Sequence, residues 1–154
     1  QYHAWGGNGG GDTHYTWGAL LCLVGLEQYI DVNPWDGLRF GMLNPPSAGE
    51  LDRVSWQGHL YNVKVGPSLT ELTRDGHLRF SALGGVVVRR YEATPTKLSF
   101  ILHSAKSARV TTLEFSSGTL RLEIDGKSAD NIEIQQGSAS FVAPSGEHRI
   151  TLEM

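Results

Sequence analysis

Short runs that alternate apolar and polar residues, each closed by a turn former, fill the chain beyond residue 38, and they constrain its fold more than any other feature. Side chains of a strand point alternately to its two faces, so a period of two marks a sheet with one face buried. In the clearest case Leu120, Leu122 and Ile124 share one side, and Arg121, Glu123 and Asp125 the other. The pattern predicts strands over 38–43, 54–56, 60–65, 69–73, 77–81, 86–92, 97–102, 109–115, 120–124, 131–136, 139–143 and 148–153. Gln57-Gly58-His59 and Asp75-Gly76 supply hairpin turns, since tight turns demand positive φ. Segments this short and this regularly punctuated argue for an antiparallel β-sandwich of about ten strands.

The first third of the chain obeys a different rule. Gly6, Gly7, Gly9, Gly10 and Gly11 stand among Tyr2, His3, Trp5, Asp12, His14 and Tyr15, the composition of an irregular loop dense in polar and aromatic side chains. From Thr16, a plausible N-cap, the residues 16–31 read as a helix without proline. Trp17, Leu20, Leu21 and Val24 mark one face and Leu23, Leu26 and Ile30 another, so this helix wants burial nearly all round. A multi-helix barrel supplies such burial, and a lone sandwich supplies it poorly. The expected organisation is therefore a helical remnant at 1–36, a linker with one strand at 37–51 that contains Asn44-Pro45-Pro46-Ser47, and a β-sandwich at 52–154.

Composition excludes several classes of partner. A net charge of −3, with lysine and arginine scattered singly, offers no footprint for a phosphate backbone, so nucleic acid is not expected. The apolar stretch 19–26 falls far short of the roughly 18–20 residues a membrane-spanning helix needs. Cys22 is the only cysteine, so no internal disulfide forms, and it reads as a buried, inert thiol. His3 and His14 have no recognised metal-ligand spacing; no metal or other cofactor is expected.

The glycines of the N-terminal segment do not make a phosphate loop, because no Lys-Ser or Lys-Thr pair follows them and no strand precedes them. They suit the floor of a sugar site instead. Pyranose rings offer apolar faces to aromatic rings and hydroxyls to short carboxylates, and glycine lets the backbone approach closely. Tyr2, Gly9-Gly10-Gly11-Asp12 and Tyr15-Thr16-Trp17-Gly18-Ala19 resemble the last part of the catalytic (α/α)6 barrel of trehalase-like and mannosylglycerate-hydrolase-like glycosidases.

The resemblance implies an inverting glycoside hydrolase acting on an α-linked disaccharide or a glycosylglycerate. In that family the helix opening at Trp17 is the final barrel helix, the catalytic acid lies well upstream, and the general base falls immediately ahead of Gln1. The chain is then expected to be the C-terminal part of a longer enzyme, inactive alone. Inversion needs one carboxyl group to protonate the leaving oxygen and another to activate water, about 6.5–9.5 Å apart. The resemblance leaves to this segment Asp12 as an assisting carboxylate and Tyr2, Tyr15 and Trp17 as sugar contacts, and the polar and aromatic composition of the loop adds Trp5 and His14. Close relatives of trehalase carry Glu where Asp12 stands.

Plainer readings stand beside these. Asp12 could serve only the positive end of the helix opening near Thr16, and Tyr15 and Trp17 could be core anchors. Trp35, Trp56 and Tyr61 form either a carbohydrate platform or part of the sandwich core or of its interface with the preceding helix. His59, His77, His103 and His148 fall at turns or strand ends, where solvated side chains are expected; Arg89-Arg90 reads as an exposed strand face. A second class of function is a non-catalytic carbohydrate-binding or protein-interaction sandwich. If the first segment is a barrel remnant, its apolar helix needs substitute burial against the sandwich or a second copy of the chain, which favours self-association; a binding module instead keeps the loop ordered on one sandwich face.

Overall fold

A computed structural model of the protein describes residues 29–115, 119–135 and 137–154. The described chain is all strand and turn, arranged as two seven-stranded antiparallel sheets. The first sheet runs β1 (Ile30–Asn33), β2 (Gly37–Phe40), β7 (Val86–Ala93), β8 (Lys97–Ser104), β14 (Gly146–Glu153), β10 (Arg121–Ile124) and β11 (Lys127–Ala129). The second runs β12 (Ile132–Gln135), β13 (Ser138–Ala143), β9 (Ala108–Thr112), β6 (His77–Leu83), β5 (Leu69–Arg74), β4 (His59–Val65) and β3 (Gly49–Trp56).

The alternation read from the sequence is the alternation of burial. Along β8, Leu98, Phe100, Leu102 and Ser104 are buried while the residues between them are not. Inward side chains of both sheets meet in one apolar core. Its centre is aromatic: Phe80 of the second sheet lies edge-on to Phe40 and Phe100 of the first, with ring centres 5.2 and 5.7 Å away. Such T-shaped contacts add to the area term because the positive ring edge meets the negative face.

Three hairpins close on two-residue turns in which both residues have positive φ: Gln57-Gly58, Asp75-Gly76 and Asp125-Gly126. That geometry matches the twist of the paired strands. At two of them the aspartate also grips the neighbouring strand. Asp75 accepts from the backbone N–H of Leu60 (2.9 Å) and pairs with His59 Nδ1 (2.6 Å). Asp125 repeats the arrangement with Arg149 N–H (2.8 Å) and His148 Nδ1 (2.8 Å). Both histidines stand at turns or strand ends, as the sequence predicts, with side chains 48% and 20% exposed, and each imidazole is also the partner of a turn carboxylate.

The His148 bond makes stability depend on pH. Its bond to Asp125, then that to the Ser145 carbonyl, raises its pKa above the ordinary 6.5, while the same pair holds Asp125 below 3.8. A raised imidazole value stabilises fully below 6.5, and the contribution fades as pH rises through the folded value. A lowered carboxylate value stabilises above 3.8 and fades as pH falls through the folded value. The pair is thus strongest between those two ordinary values. Urea midpoints should fall from mildly acidic to mildly alkaline pH, and His148→Gln should flatten that part of the profile.

The sheets begin earlier than the sequence predicts. Residues 30–31, expected as the end of the helix, belong to β1, where Ile30 is 5% exposed and opposite Phe40. The reason is local: the Asn33 side chain accepts from the N–H groups of Trp35 (3.1 Å) and Asp36 (2.7 Å), and this turn folds β1 back on β2. The remainder of the expected helix lies outside the described residues. The expected linker around Pro45-Pro46 is the crossover from the first sheet to the second, between β2 and β3. Trp35, expected as platform or core, is 77% exposed at the β1–β2 turn, so it is not part of the core.

The start of that crossover leaves no room for a side chain. Gly41 has φ +88°, and a Cβ there would collide with the Val86 carbonyl oxygen and crowd the Thr70 methyl at 3.2 Å. Gly41→Ala is expected to cost about 2 kcal/mol, combining left-handed strain with overpacking, read as a lower urea midpoint at unchanged slope.

Candidate functional site

One end of the sandwich gathers the ends of four hairpins around a cavity of about 440 Å3. Gly37 follows the β1–β2 turn, Gln57 forms the β3–β4 turn, Arg74 precedes the β5–β6 turn, and Thr94 lies between β7 and β8. Trp56, His59, Tyr61 and Tyr91 complete its aromatic wall, and Glu92 stands at the rim. Tyr61 is core-buried at 4%, with the Trp56 ring 6.0 Å away at a tilt and the His59 ring edge-on at 6.4 Å. Trp56 is partly buried against the core and keeps the rest of its surface outside it.

Beneath this wall lies an ionic cluster. Glu114, two residues beyond the end of β9, has a side chain only 3% exposed. Its Oε2 accepts from Arg74 Nη2 at 2.8 Å and lies 3.8 Å from Arg79 Nη1; its Oε1 accepts from the Tyr91 hydroxyl at 3.0 Å. Arg79 also donates to the Leu113 carbonyl at 3.3 Å. Burial, followed by the negative charge of Glu114, raises the Tyr91 pKa well above 10, so the phenol stays a proton donor to the carboxylate. Burial also raises Tyr61, against the opposing pull of Arg74.

Local irregularities aim these side chains. The β3–β4 register breaks between Leu51 and Val54, the β5–β6 register between Leu72 and Thr73, and the β7–β8 register between Arg89 and Glu92. Arg53 and Arg90 take positive φ in two of these bulges. A bulge adds a residue to one strand and turns the next side chain to a new direction. Here the breaks lie close to Trp56, Arg74 and Tyr91, the residues that build the cavity. The Arg90 bulge is tied down by its N–H bond to the Asp36 carbonyl (2.7 Å), and Arg89 pairs with Glu147 at 2.6 Å and Asp36 at 3.7 Å.

Asp12, Tyr2, Trp5, His14, Tyr15 and Trp17, the sugar-site residues expected from the sequence, lie outside the described residues. Of the aromatic residues weighed as a platform, the fold brings Trp56 and Tyr61 together and leaves Trp35 on the turn that leads into Gly37. Glu114 was not singled out by sequence reasoning, although a signal exists. It continues the inward phase of Ala108, Val110 and Thr112, and a carboxylate in a core-facing phase requires a buried cation. Among the described residues no group of three or more His, Cys, Asp and Glu side chains is gathered as a metal centre requires, and no helix is long and apolar enough to cross a membrane. Comparison with protein-family models, with curated proteins and with solved structures finds no match for this chain.

Proposed function

We propose that the chain is the C-terminal part of an inverting glycoside hydrolase, in which the N-terminal segment contributes to the sugar site of an (α/α)6 barrel and the β-sandwich is an accessory that braces it. The observation that carries this reading is the run from Tyr2 through Gly9-Gly10-Gly11-Asp12 to Tyr15-Thr16-Trp17-Gly18-Ala19. Its chemistry is coherent: glycines admit the sugar, aromatic rings cover its apolar face, and Asp12 accepts from its hydroxyls. The substrate class is an α-linked disaccharide or a glycosylglycerate.

The sandwich is suited to support rather than to hydrolysis. Its buried carboxylate, Glu114, has both oxygens engaged by Arg74, Arg79 and Tyr91, which leaves it no role as a proton shuttle. With the acid and the base of the reaction upstream, the chain by itself is expected not to turn over substrate.

The test is the coding frame upstream of the Gln1 codon. An open frame encoding a helical domain, with Glu at the junction and an acidic loop before it, supports the reading and directs assays of the full enzyme to trehalose and glycosylglycerates. A start codon or a secretion leader directly before Gln1 would sink it.

A further inference from the structure

The cavity at the hairpin end of the sandwich has a size, a wall and a charge balance that together select a ligand. Its volume of about 440 Å3 falls within the roughly 300–1,000 Å3 of small-molecule sites. The wall pairs aromatic surface from Trp56 and Tyr61 with polar groups from Gln57, His59, Arg74 and Thr94. This is the combination that a ring with one apolar face and several hydroxyls requires.

Charge then discriminates among ring ligands. Arg74, the guanidinium in the wall, is paired with Glu114, His59 is paired with Asp75, and the wall also carries the Glu92 carboxylate. Among the described residues that line the cavity no surplus cation is left to neutralise a phosphate or a carboxylate, so an anionic ligand would enter at a desolvation cost with little to offset it. An uncharged polyol meets no such cost. It can accept from the Arg74 guanidinium, whose side chain stays 21% exposed after pairing with Glu114.

We propose that this cavity binds one uncharged hexopyranose unit, with the indole of Trp56 covering the apolar ring face and Arg74, His59 and Gln57 meeting its hydroxyls. Two of the polar groups are held in advance: Arg74 by Glu114 and His59 by Asp75. Preorganisation of this kind lowers the ordering cost of binding. The three register breaks beside the wall residues fit a site built by re-aimed side chains. Trp35, exposed on the turn leading into Gly37, places a second indole on the same hairpin end, where a further sugar unit would extend. The proposal is independent of the reading of the N-terminal segment.

The test uses the full chain labelled with nitrogen-15. Its four tryptophans, Trp5, Trp17, Trp35 and Trp56, give indole N–H signals that single Trp→Phe variants assign. The probes are methyl α-glucopyranoside and methyl α-mannopyranoside, with glucuronate and inorganic phosphate as anionic counterparts. The Trp56 signal should shift saturably with a neutral glycoside. Trp56→Ala should weaken binding about tenfold or more, as loss of an aromatic anchor does. Gln57→Asn, which keeps the turn, should weaken it by a smaller factor.

Shifts confined to Trp5 or Trp17 would overturn the cavity as a sugar site while leaving the hydrolase reading in place. Absence of any shift at millimolar glycoside would overturn it as well. Preferential binding of glucuronate or phosphate would overturn the ligand class. Since the wild-type shift needs no variant, a Trp56→Ala protein that failed to fold would not leave the question open.

Discussion

Phe80→Ala is expected to destabilise the sandwich by about 4 kcal/mol, the largest effect of any single truncation considered, within the roughly 3–5 kcal/mol that removal of a core phenylalanine costs. The ring is fully buried and touches three other aromatic rings: Phe40 at 5.2 Å, Phe100 at 5.7 Å and Tyr91 at 6.3 Å between centres. Phe40, Phe100 and Tyr91 belong to the first sheet and Phe80 to the second, so the truncation opens a void on the seam between layers. Strands hydrogen-bonded on both sides restrict how far the walls can close on it. Urea unfolding should show a lower midpoint at unchanged slope. Phe80→Leu, which refills part of the volume, should recover about half of the loss. A loss below about 1 kcal/mol for Phe80→Ala would mean that the sheets do not pack on this ring.

Glu114→Ala is expected to cost about 3 kcal/mol. Breaking a buried ion pair typically costs 3–5 kcal/mol because the partner charge is left uncompensated. The lower end applies here, since Arg74 and Arg79 keep 21% and 26% of their side chains exposed and can recruit water. Tyr91→Phe, which removes only the donor to Oε1, should cost about 1 kcal/mol. The discriminating experiment is a double-mutant cycle between Arg74→Met and Glu114→Ala. Strong coupling is expected: once one partner is gone, loss of the other should cost little. Additive losses would show that the cluster is a set of independent contacts. The cluster lies directly under the cavity, so the two variants also test whether its wall depends on this support, through the Trp56 indole signal in the free protein.

Much of the architecture was legible in the chain because the signals are local. A period of two identifies a strand within a handful of residues, as in the Leu120–Leu122–Ile124 series, and a Gly after Gln57 or Asp75 announces a turn that the backbone must make with positive φ. Those readings describe two antiparallel sheets with one buried face each, which the fold realises. The same locality explains the misreading at Ile30. Its spacing from Leu23 and Leu26 extends a helical stripe, whereas its position was decided by the Asn33 turn and by Phe40 across the hairpin.

Residues that meet only when distant strands are assembled were not legible as a site. Glu114 and Arg74 are 40 positions apart, and Trp56 and Tyr91 come from different sheets. No window of sequence contains both members of either pair. By itself the sequence determined the strand character of most of the chain, the places of its turns and the chemical density of its N-terminal segment, because propensity and periodicity act between near neighbours. Strand order, the three register breaks, the buried carboxylate cluster and the cavity above it were decided by the tertiary structure, because each depends on which strands lie side by side. That choice is made by packing one apolar core shared between both sheets.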